Sequence, residues 1–576
     1  MVNFTIKITF LTSAFFLSAN IFGMIDSFLY IKRLIYSVII VSFISLPIQI
    51  TAYSTDFVAS YLPIIIIETN GKQILDDQRI TASMGIIYNG EDSLNNVNDS
   101  CNNYNGRIAI EIRGSTSKQF PKKPYRIETQ DSLGENLNVS LLGMPNENDW
   151  ILYNPYSDKT MIRNVLTYKI SRDLNRYASR TRYCELILNG EYKGVYVLME
   201  KIKRDDNRVN ISILESTDTS KNEITGGYIL KIDKDSGENN EGWRSNGILY
   251  QYHYPKPDDI NQNQKNYIKN YINQFEETVK FHDQTDSSDS LFKYIDLDSF
   301  VDYFIINEIS RNIDGYRLST YFYKDSDDEN GKITMGPVWD FNIAFGNAYY
   351  YSGFNTDGWS LDYLLEIKTL GVPFWWATIR SDSTFLSKLY YRWFELRKTK
   401  LNYDTLFYFI DKQAGLLEEA QKRNFEKWPI IGEEVWPNWY VGNSYTSEIN
   451  FLKNWIGKRL RWMDLNITLD TTIAVNVQKQ YEIPIDFTLH QNYPNPFNPE
   501  TVIRYSIPLS GNLNSNLVQL KVFDILGQEV KTLLNKKQAP GNYEITFNAS
   551  ELQSGIYFYQ LSTLDYSETK KMILLK

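Results

Sequence analysis

The hydrophobic pattern of this chain changes from strand-like to helix-like part-way along its length. Residues 61–234 hold short apolar runs separated by turns such as NGEYKG, which is typical of β-strands. From residue 258 onward, apolar residues recur at the three- and four-residue spacing of a helix. The first such stripe consists of Tyr267, Ile268, Tyr271, Ile272, Phe275 and Val279. A strand-rich half followed by a helical half predicts an α+β fold.

Four more helices are predicted in the second half. They cover residues 300–309, 385–400, 403–424 and 447–463, and we expect the first of them to be amphipathic. Apolar stripes of this kind are typical of core packing rather than of a cofactor site. A length of 576 residues favours two to four domains.

Two acids beside the predicted helix at 300–309 stand out. Asp314 shortly precedes a predicted strand (STYFYKD), and Asp340 ends the next one (GKITMGPVWD). A hairpin of these strands would bring both carboxylates close together at one end of the hairpin. One carboxylate can then coordinate Mg²⁺ while the other accepts a proton from an attacking hydroxyl, as phosphoryl transfer requires. The alternative is that Asp314 lies in an ordinary turn and that Asp340 merely ends a strand.

Four sequence blocks carry a resemblance to a known family. They are IRGSTSKQFPKKPYRIE from Ile112, LNGEYKGVYVLMEKIKRDDNRVNI from Leu188, TGGYILKIDK from Thr225, and the stretch 307–347 that holds both acids. In this order they resemble the CotH family of spore-coat-type atypical kinases, over roughly residues 62–464. The resemblance implies a two-lobed, protein-kinase-like domain over residues 60–465, with a strand-rich amino lobe and a helical carboxyl lobe.

The resemblance also implies roles for single residues. Asp314 corresponds to the catalytic acid, and Asp340 to the metal-binding acid that opens a kinase Asp-Phe-Gly motif. The implied cofactors are ATP and Mg²⁺ or Mn²⁺, and the implied partner is an acceptor protein phosphorylated on Ser, Thr or Tyr. Asn342, a further metal-ligand candidate, stands where many relatives carry a second acid, and Ser319 stands where a kinase catalytic loop places Asn. An amide oxygen binds Mg²⁺ without adding charge, so we expect weaker metal affinity.

The amino half supplies the candidate ATP-binding residues. If residues 122–127 form a strand, Lys123 shares a face with Tyr125 and Ile127, while Lys122 lies on the other face. By analogy with the lysine–glutamate pair of kinases, we expect Lys123 to contact phosphate and Glu200 to be its ion-pair partner. The alternative is that both lysines are solvated charges at a strand edge.

Arg113 completes the set of candidate ATP-binding residues. It begins a turn-like RGSTS stretch whose backbone N–H groups can cradle phosphate. The chain has no GxxxxGK[ST] loop, which argues against a P-loop enzyme.

Composition narrows the possible functions further. A net charge of −9 argues against nucleic acid as a partner. The two cysteines, Cys101 and Cys184, are too few for a zinc site or a disulfide framework, and a single bridge between them stays open. With 42 Tyr and 12 Trp, exposed aromatic residues can hold a surface glycan or peptide, although most of them will fill the core.

The amino terminus carries two apolar runs, residues 10–24 and 34–46, separated by Lys32 and Arg33. The second run, with its basic flank and the small residues near Ala52, is typical of a signal peptide. We therefore predict a hydrophobic leader over residues 1–52, with Met24 as a candidate true start. A two-helix membrane hairpin is the alternative, although neither run reaches the roughly 18 apolar residues of a spanning helix.

The carboxyl terminus carries a second distinctive pattern. After a polar linker at 466–486, short strands separated by Gly, Asn and Pro predict a small antiparallel β-sandwich over 487–576. Its YPNPFNP opening and SGIYFYQL strand resemble the type A sorting domain of type IX secretion substrates. The resemblance implies the type IX secretion machinery as a partner and a secreted or cell-surface location. An ordinary fibronectin-like sandwich fits the strands but not the YPNPFNP motif.

Two classes of function are compatible with these features. The first is an exported kinase that transfers phosphate from ATP to a protein. The second is a catalytically weak or inactive member of the same fold that acts as a cell-surface binding or adhesion protein, and Asn342 and Ser319 favour it. A glycoside hydrolase is a weaker third alternative, since two carboxylates about 5–9 Å apart would suffice.

Overall fold

The computed structural model describes residues 57–76, 78–235, 241–282, 291–329, 331–469, 487–507, 517–538, 541–563 and 566–576. The predicted leader, with Met24, lies outside these ranges, as does most of the predicted linker. In the described ranges, none of the helices combines the length and apolar character needed to cross a bilayer.

The first half folds into a closed β-barrel. Seven strands form it in the order β2-β3-β5-β6-β7-β9-β8, and all neighbours are antiparallel except β2 and β8. The strands of this half are β1 (Ala59–Ser60), β2 (Ile64–Glu68), β3 (Ile80–Ile87), β4 (Asn95–Asn96), β5 (Tyr104–Ile112), β6 (Tyr125–Gln130), β7 (Asp149–Tyr153), β8 (Thr181–Leu188) and β9 (Glu191–Glu200). Alternate residues such as Tyr125 and Ile127 fill the interior, which leaves Arg126 on the outer surface.

A second sheet of five strands follows, in the order β11-β12-β10-β13-β14. Its strands are β10 (Tyr228–Ile232), β11 (Gly242–Ser245), β12 (Ile248–Tyr254), β13 (Thr320–Lys324) and β14 (Thr334–Met335). One face, which includes Leu230 and Phe322, belongs to the large core shared with the helices. The other face contributes Ile229 and Tyr321 to a small core with Ile202, which follows the last barrel strand.

The helices lie mainly in the second half. They are α1 (Arg163–Asp173), α2 (Gln262–Lys280), α3 (Leu297–Ser310), α4 (Ser360–Glu366), α5 (Trp375–Ser381), α6 (Ser383–Lys398), α7 (Tyr403–Leu416), α8 (Glu418–Lys427) and α9 (Tyr445–Asn466). Asn261 starts α2 with a reciprocal capping box, in which its side chain accepts from the Gln264 backbone N–H. These elements confirm the α+β class, while the two-lobed kinase-like arrangement stays a prediction.

Two details of the predicted helices are wrong. The helix at 300–309 is not amphipathic, because every residue of α3 except Asp298 is buried. The helix expected over 403–424 divides into α7 and α8 at Leu417, whose side chain is fully buried. The bend at this residue lets α8 pack against barrel strand β9.

The carboxyl-terminal strands are antiparallel, as predicted. They are β15 (Thr488–Leu489), β16 (Glu500–Ile507), β17 (Leu517–Phe523), β18 (Glu529–Lys537), β19 (Gly541–Asn548), β20 (Gly555–Ser562) and β21 (Ser567–Leu574). They form one sheet of order β15-β16-β19 and another of order β18-β17-β20-β21. Buried residues of both sheets, among them Ile503 and Leu520, make one apolar core.

Both cysteines are unpaired in the structure. Cys184 is buried inside the barrel and Cys101 is partly exposed. The single bridge left open by the sequence is therefore not formed.

Candidate active site

Asp340 lies in a strained turn with an unpaired carboxylate. The expected strand through residue 340 ends at Met335, and Asp340 itself has a φ of 66°, a left-handed conformation that is uncommon outside glycine. Its side chain is accessible to solvent, and its carboxylate forms no hydrogen bond or ion pair with any residue that the structure describes. The pKa of Asp340 is nevertheless raised to about 6, first by desolvation and next by the charge of Asp314. Asp340 therefore combines a strained backbone with a carboxylate that has no partner among the described residues and a raised pKa.

Helix α1 holds the backbone of this turn. Asn164 Oδ1 accepts a hydrogen bond from Phe341 N at 2.7 Å, and Arg163 Nε donates to Ala344 O at 3.1 Å. Tyr168 Oη accepts from Asp340 N at 3.3 Å. Since Arg163 and Asn164 are almost fully buried, these bonds are shielded from water and set the position of Asp340.

Asp314 lies in the turn after α3. Arg311 ends that helix in a left-handed conformation, and the following turn brings Gly315 against Asn307, where an added Cβ would come within 2.2 Å of Asn307 Oδ1. Arg317 Nη2 donates to Asp314 Oδ1 at 2.8 Å. Burial raises the pKa of Asp314, and Arg317 opposes this increase. The turn therefore has a defined geometry that depends on glycine at residue 315.

The structure places the two predicted acids in one site. The charge of Asp314 acts on Asp340, and the pKa of Tyr350 is raised first by burial and then by both carboxylates. The β13–β14 pairing, in which Phe322 lies opposite Met335, supplies the expected hairpin.

Asp233 is a third acid of the site that sequence reasoning missed. It follows β10, whose last residue Ile232 pairs with Thr320 at the start of β13. Its charge raises the pKa of both Asp314 and Asp340. The only sequence signal was its presence at the end of the TGGYILKIDK block, because strand pairing alone brings residues 233 and 314 together.

Arg113 joins the site from the barrel. Its guanidinium lies over the ring of Trp339, with Cζ 5.7 Å from the ring centroid. Burial and the charge of Arg126 lower the pKa of Arg113 below its ordinary value, and the charge of Asp340 opposes this decrease. The positively charged side of the site therefore begins next to the Asp340 turn.

The other predicted ATP-binding residues lie elsewhere, and the expected pair of Lys123 and Glu200 is not formed. Lys123 Nζ donates to Lys118 O at 2.7 Å. Glu200 is fully buried at the end of β9 and accepts from Arg180 Nη1 at 2.8 Å. Strand β6 begins only at Tyr125, so the face expected for Lys123 does not exist.

Lys122 has a structural role. It is buried at 1% exposure and donates to Asn424 Oδ1 at 2.8 Å and to Val195 O, which ties the barrel to α8. Burial lowers its pKa to about 7. Neither a solvated strand-edge lysine nor a phosphate ligand is compatible with this position.

The metal-ligand candidates fit a divalent ion only in part. Within the described ranges, no three His, Cys, Asp or Glu side chains are grouped so that they could hold an ion by themselves. The Asp340 carboxylate and the Asn342 amide have no hydrogen-bond partner among those residues. Mg²⁺ commonly completes its octahedron with water and substrate phosphate oxygens, so this small donor set is compatible with it.

Comparison with known families explains the arrangement. Residues 110–463 match the model described as CotH kinase protein, which covers more than half of the chain. The chain belongs to the CotH kinase family. The predicted resemblance is thereby confirmed, and barrel strands β6–β9, the second sheet and helices α1–α9 lie largely within the matched CotH region. Among curated proteins, no sequence is similar enough to this CotH member to count as a match.

Residues 491–575 match a second model, the secretion system C-terminal sorting domain. This match confirms the second predicted resemblance and shows that this CotH protein is exported by type IX secretion to the cell surface or the extracellular space. Interaction with the type IX secretion machinery follows from the same domain.

Proposed function

We propose that this protein is an exported atypical kinase that transfers the γ-phosphate of ATP to Ser, Thr or Tyr of an acceptor protein. The observation that carries the proposal is that the Asp340 carboxylate, which has no partner among the described residues, lies close enough to Asp314 to be influenced by its charge. Membership of the CotH family supports the same activity. The two-lobed kinase-like arrangement belongs to this proposal, with the barrel as the strand-rich part.

The proposed reaction assigns one task to each acid. The acceptor hydroxyl oxygen bonds to the γ-phosphorus, the bond from that phosphorus to the β-phosphate oxygen breaks, and ADP leaves. Asp314 takes the hydroxyl proton, and its raised pKa makes it a better proton acceptor than an ordinary aspartate. Asp340 and Asn342 would hold the divalent ion, which when bound neutralises charge on the phosphate oxygens.

A transfer assay with labelled ATP and Mg²⁺ or Mn²⁺ tests the proposal. We expect Asp314→Asn to lower turnover by about 10²- to 10⁴-fold with nucleotide affinity nearly unchanged, because its role arises in the transition state. Asp298→Asn is a matched control, since this exposed acid lies at the other end of α3, about 20 Å along the helix axis. A wild-type protein that labels neither itself nor any added protein would refute the kinase function.

A binding or adhesion function is the second candidate, and a group of aromatic side chains next to the site favours it. Tyr350, whose pKa the charge of Asp314 raises, stacks on Trp436 at 5.8 Å. Trp439 is 52% exposed and stacks on Phe354 at 3.9 Å. Exposed rings of this kind can hold a glycan or peptide. Retention on glycan or peptide arrays that Trp439→Ala abolishes, combined with no phosphate transfer, would favour this function over the kinase.

A further inference from the structure

Positively charged side chains gather where the barrel faces the second sheet. Lys231 is two residues after Ile229 on β10, so both side chains lie on the same face of the sheet. This face packs towards the barrel through Ile229 and Tyr321. On the barrel side, Arg126 is held by Glu111, with Nη1 2.8 Å from Oε1. Arg113 lies near Arg126 and stacks on Trp339. Trp339 packs against the same small core as Ile229 and Tyr321, so Lys231 and Arg113 flank one cluster of side chains.

Two of these cations have no direct partner. Neither the Lys231 ammonium nor the Arg113 guanidinium forms a hydrogen bond or ion pair with another residue of the described ranges, and both are partly buried. The Asp233 carboxylate, whose charge acts on Lys231, accepts a hydrogen bond from Lys234 N and forms none with Lys231. Partly buried cations without an anion are costly, so this arrangement indicates a missing anionic ligand.

Repulsion among the neighbouring positive charges adds to the free-energy cost of burying them. Burial and the charge of Arg126 lower the pKa of both Lys231 and Arg113. Burial, together with the charges of Lys201, Lys231 and Arg126, also lowers the pKa of His253 to about 4. A ligand with several negative oxygens would offset this mutual repulsion.

The neighbouring acids select the class of ligand. A simple carboxylate ligand beside Arg113 would be repelled by Asp340, whose charge acts on Arg113, and by the neighbouring Asp314. A phosphate chain that carries a divalent ion is compatible with both groups of side chains. Its oxygens bind the cationic side chains, while the ion binds the carboxylates. The lysines expected from the sequence cannot supply this contact, since Lys122 and Lys123 are bonded to backbone or side-chain oxygens elsewhere.

We propose that Lys231 is the phosphate-binding lysine of this site and that it acts with Arg113 on the oxygens of the ATP phosphate chain. This inference rests on the proposed nucleotide-dependent function. It gives Lys231, on the second sheet, the role that the sequence suggested for Lys123 on the barrel.

Calorimetric titration of the purified protein with ATP and Mn²⁺, and with tripolyphosphate and Mn²⁺, tests the inference. We expect Lys231→Met to weaken ATP affinity by about ten- to a hundredfold, the loss of one charge-assisted hydrogen bond. Lys123→Met is the matched control and should change affinity by less than about twofold, while Lys231→Arg should restore most of the binding. The thermal midpoint of Lys231→Met should not fall, because a partly buried, unpaired charge is removed. Lys231→Gln serves as a second variant.

The outcomes separate this inference from the proposed function. Unchanged ATP affinity in Lys231→Met and Lys231→Gln, together with lost binding in Asp340→Ala, would overturn the Lys231 assignment and leave the kinase function standing. Binding of ATP that depends on Lys231, without any phosphate transfer, would support the inference against the kinase function. A wild-type protein that binds neither ATP nor tripolyphosphate would overturn both.

Discussion

At the scale of single residues, the site combines backbone strain with unpaired polar groups. Asp340 and Ser319 have φ values of 66° and 48°, and Tyr316 has 69°. Non-glycine residues in this region cost on the order of 1 kcal/mol each and are concentrated at functional sites. The strain at Asp340 persists because two side chains of α1 hold its backbone. Tyr168 accepts a hydrogen bond from Asp340 N, and Asn164 accepts one from Phe341 N.

This strain leads to a prediction that separates binding from stability. Asp340→Ala should abolish divalent-dependent nucleotide binding, because it removes the principal charged ligand. Asp340→Gly should abolish binding equally. Its free energy of unfolding should exceed that of Asp340→Ala by about 1 kcal/mol, since glycine tolerates a positive φ, and it should therefore unfold at a higher temperature. Asn342→Asp should tighten Mn²⁺ binding by adding a charge. Titration calorimetry and thermal unfolding measure both effects.

Unchanged ATP and Mn²⁺ affinity in Asp340→Ala would contradict the metal-ligand role. Equal unfolding temperatures of the alanine and glycine variants would show that the strain at this residue is small.

At the scale of elements, α1 is the structural support of the site. Asn164 is 4% exposed, so removing its side-chain oxygen leaves the Phe341 N–H without a partner. We expect Asn164→Leu to cost about 1–3 kcal/mol of unfolding free energy and to weaken nucleotide binding as well. Asn164→Asp keeps an acceptor oxygen and is the control that should retain more of both properties. Urea unfolding and calorimetry would measure the effects, and a leucine variant with wild-type nucleotide affinity would show that α1 does not position Asp340.

The contact between the barrel and α8 gives a pH-dependent prediction. Burial lowers the pKa of Lys122 from 10.5 to about 7, so above pH 7 the folded protein binds fewer protons at this residue than the unfolded chain. The contribution of Lys122 to stability therefore increases as the pH rises from about 7 towards 10.5. Lys122→Met, which has a similar length and no charge, should remove this increase.

The measurement is the free energy of urea unfolding at pH 7 and pH 9 for both proteins. Lys123→Met is the control, because Lys123 is only partly buried. An identical pH dependence in wild type and Lys122→Met would show that Lys122 is not the responsible group.

At the scale of the whole molecule, the chain joins an enzyme-like region to an export signal. The CotH and sorting-domain matches occupy separate segments, residues 110–463 and 491–575. Deleting residues 487–576 should therefore keep the protein in the periplasm while the remaining region stays soluble and binds nucleotide. Cell fractionation with immunoblotting would check its location. Arrival of the truncated protein at the cell surface or in the medium at wild-type levels would contradict the sorting role.

Local sequence patterns determined much of this protein. The 3.6-residue periodicity located α2, α6 and α9 to within a few residues, because each buries one face against a core. The family blocks pointed to Asp314 and Asp340 as candidate site residues, because each lies in a short segment that stays together along the chain. The sorting domain was evident from YPNPFNP and the short strands for the same reason.

Tertiary structure alone decided which charged residues lie near the two acids and which lie elsewhere. Lys122 and Lys123 belong to the predicted strand over residues 122–127, yet Lys122 is buried against α8 and Lys123 bonds to the turn at Lys118. Asp233 reaches the two acids only because β10 pairs with β13, almost a hundred residues away in sequence, and the same pairing places the proposed phosphate-binding Lys231 opposite Tyr321. Strand pairing between distant segments depends on how the apolar faces of the whole chain pack, and no local pattern records that choice.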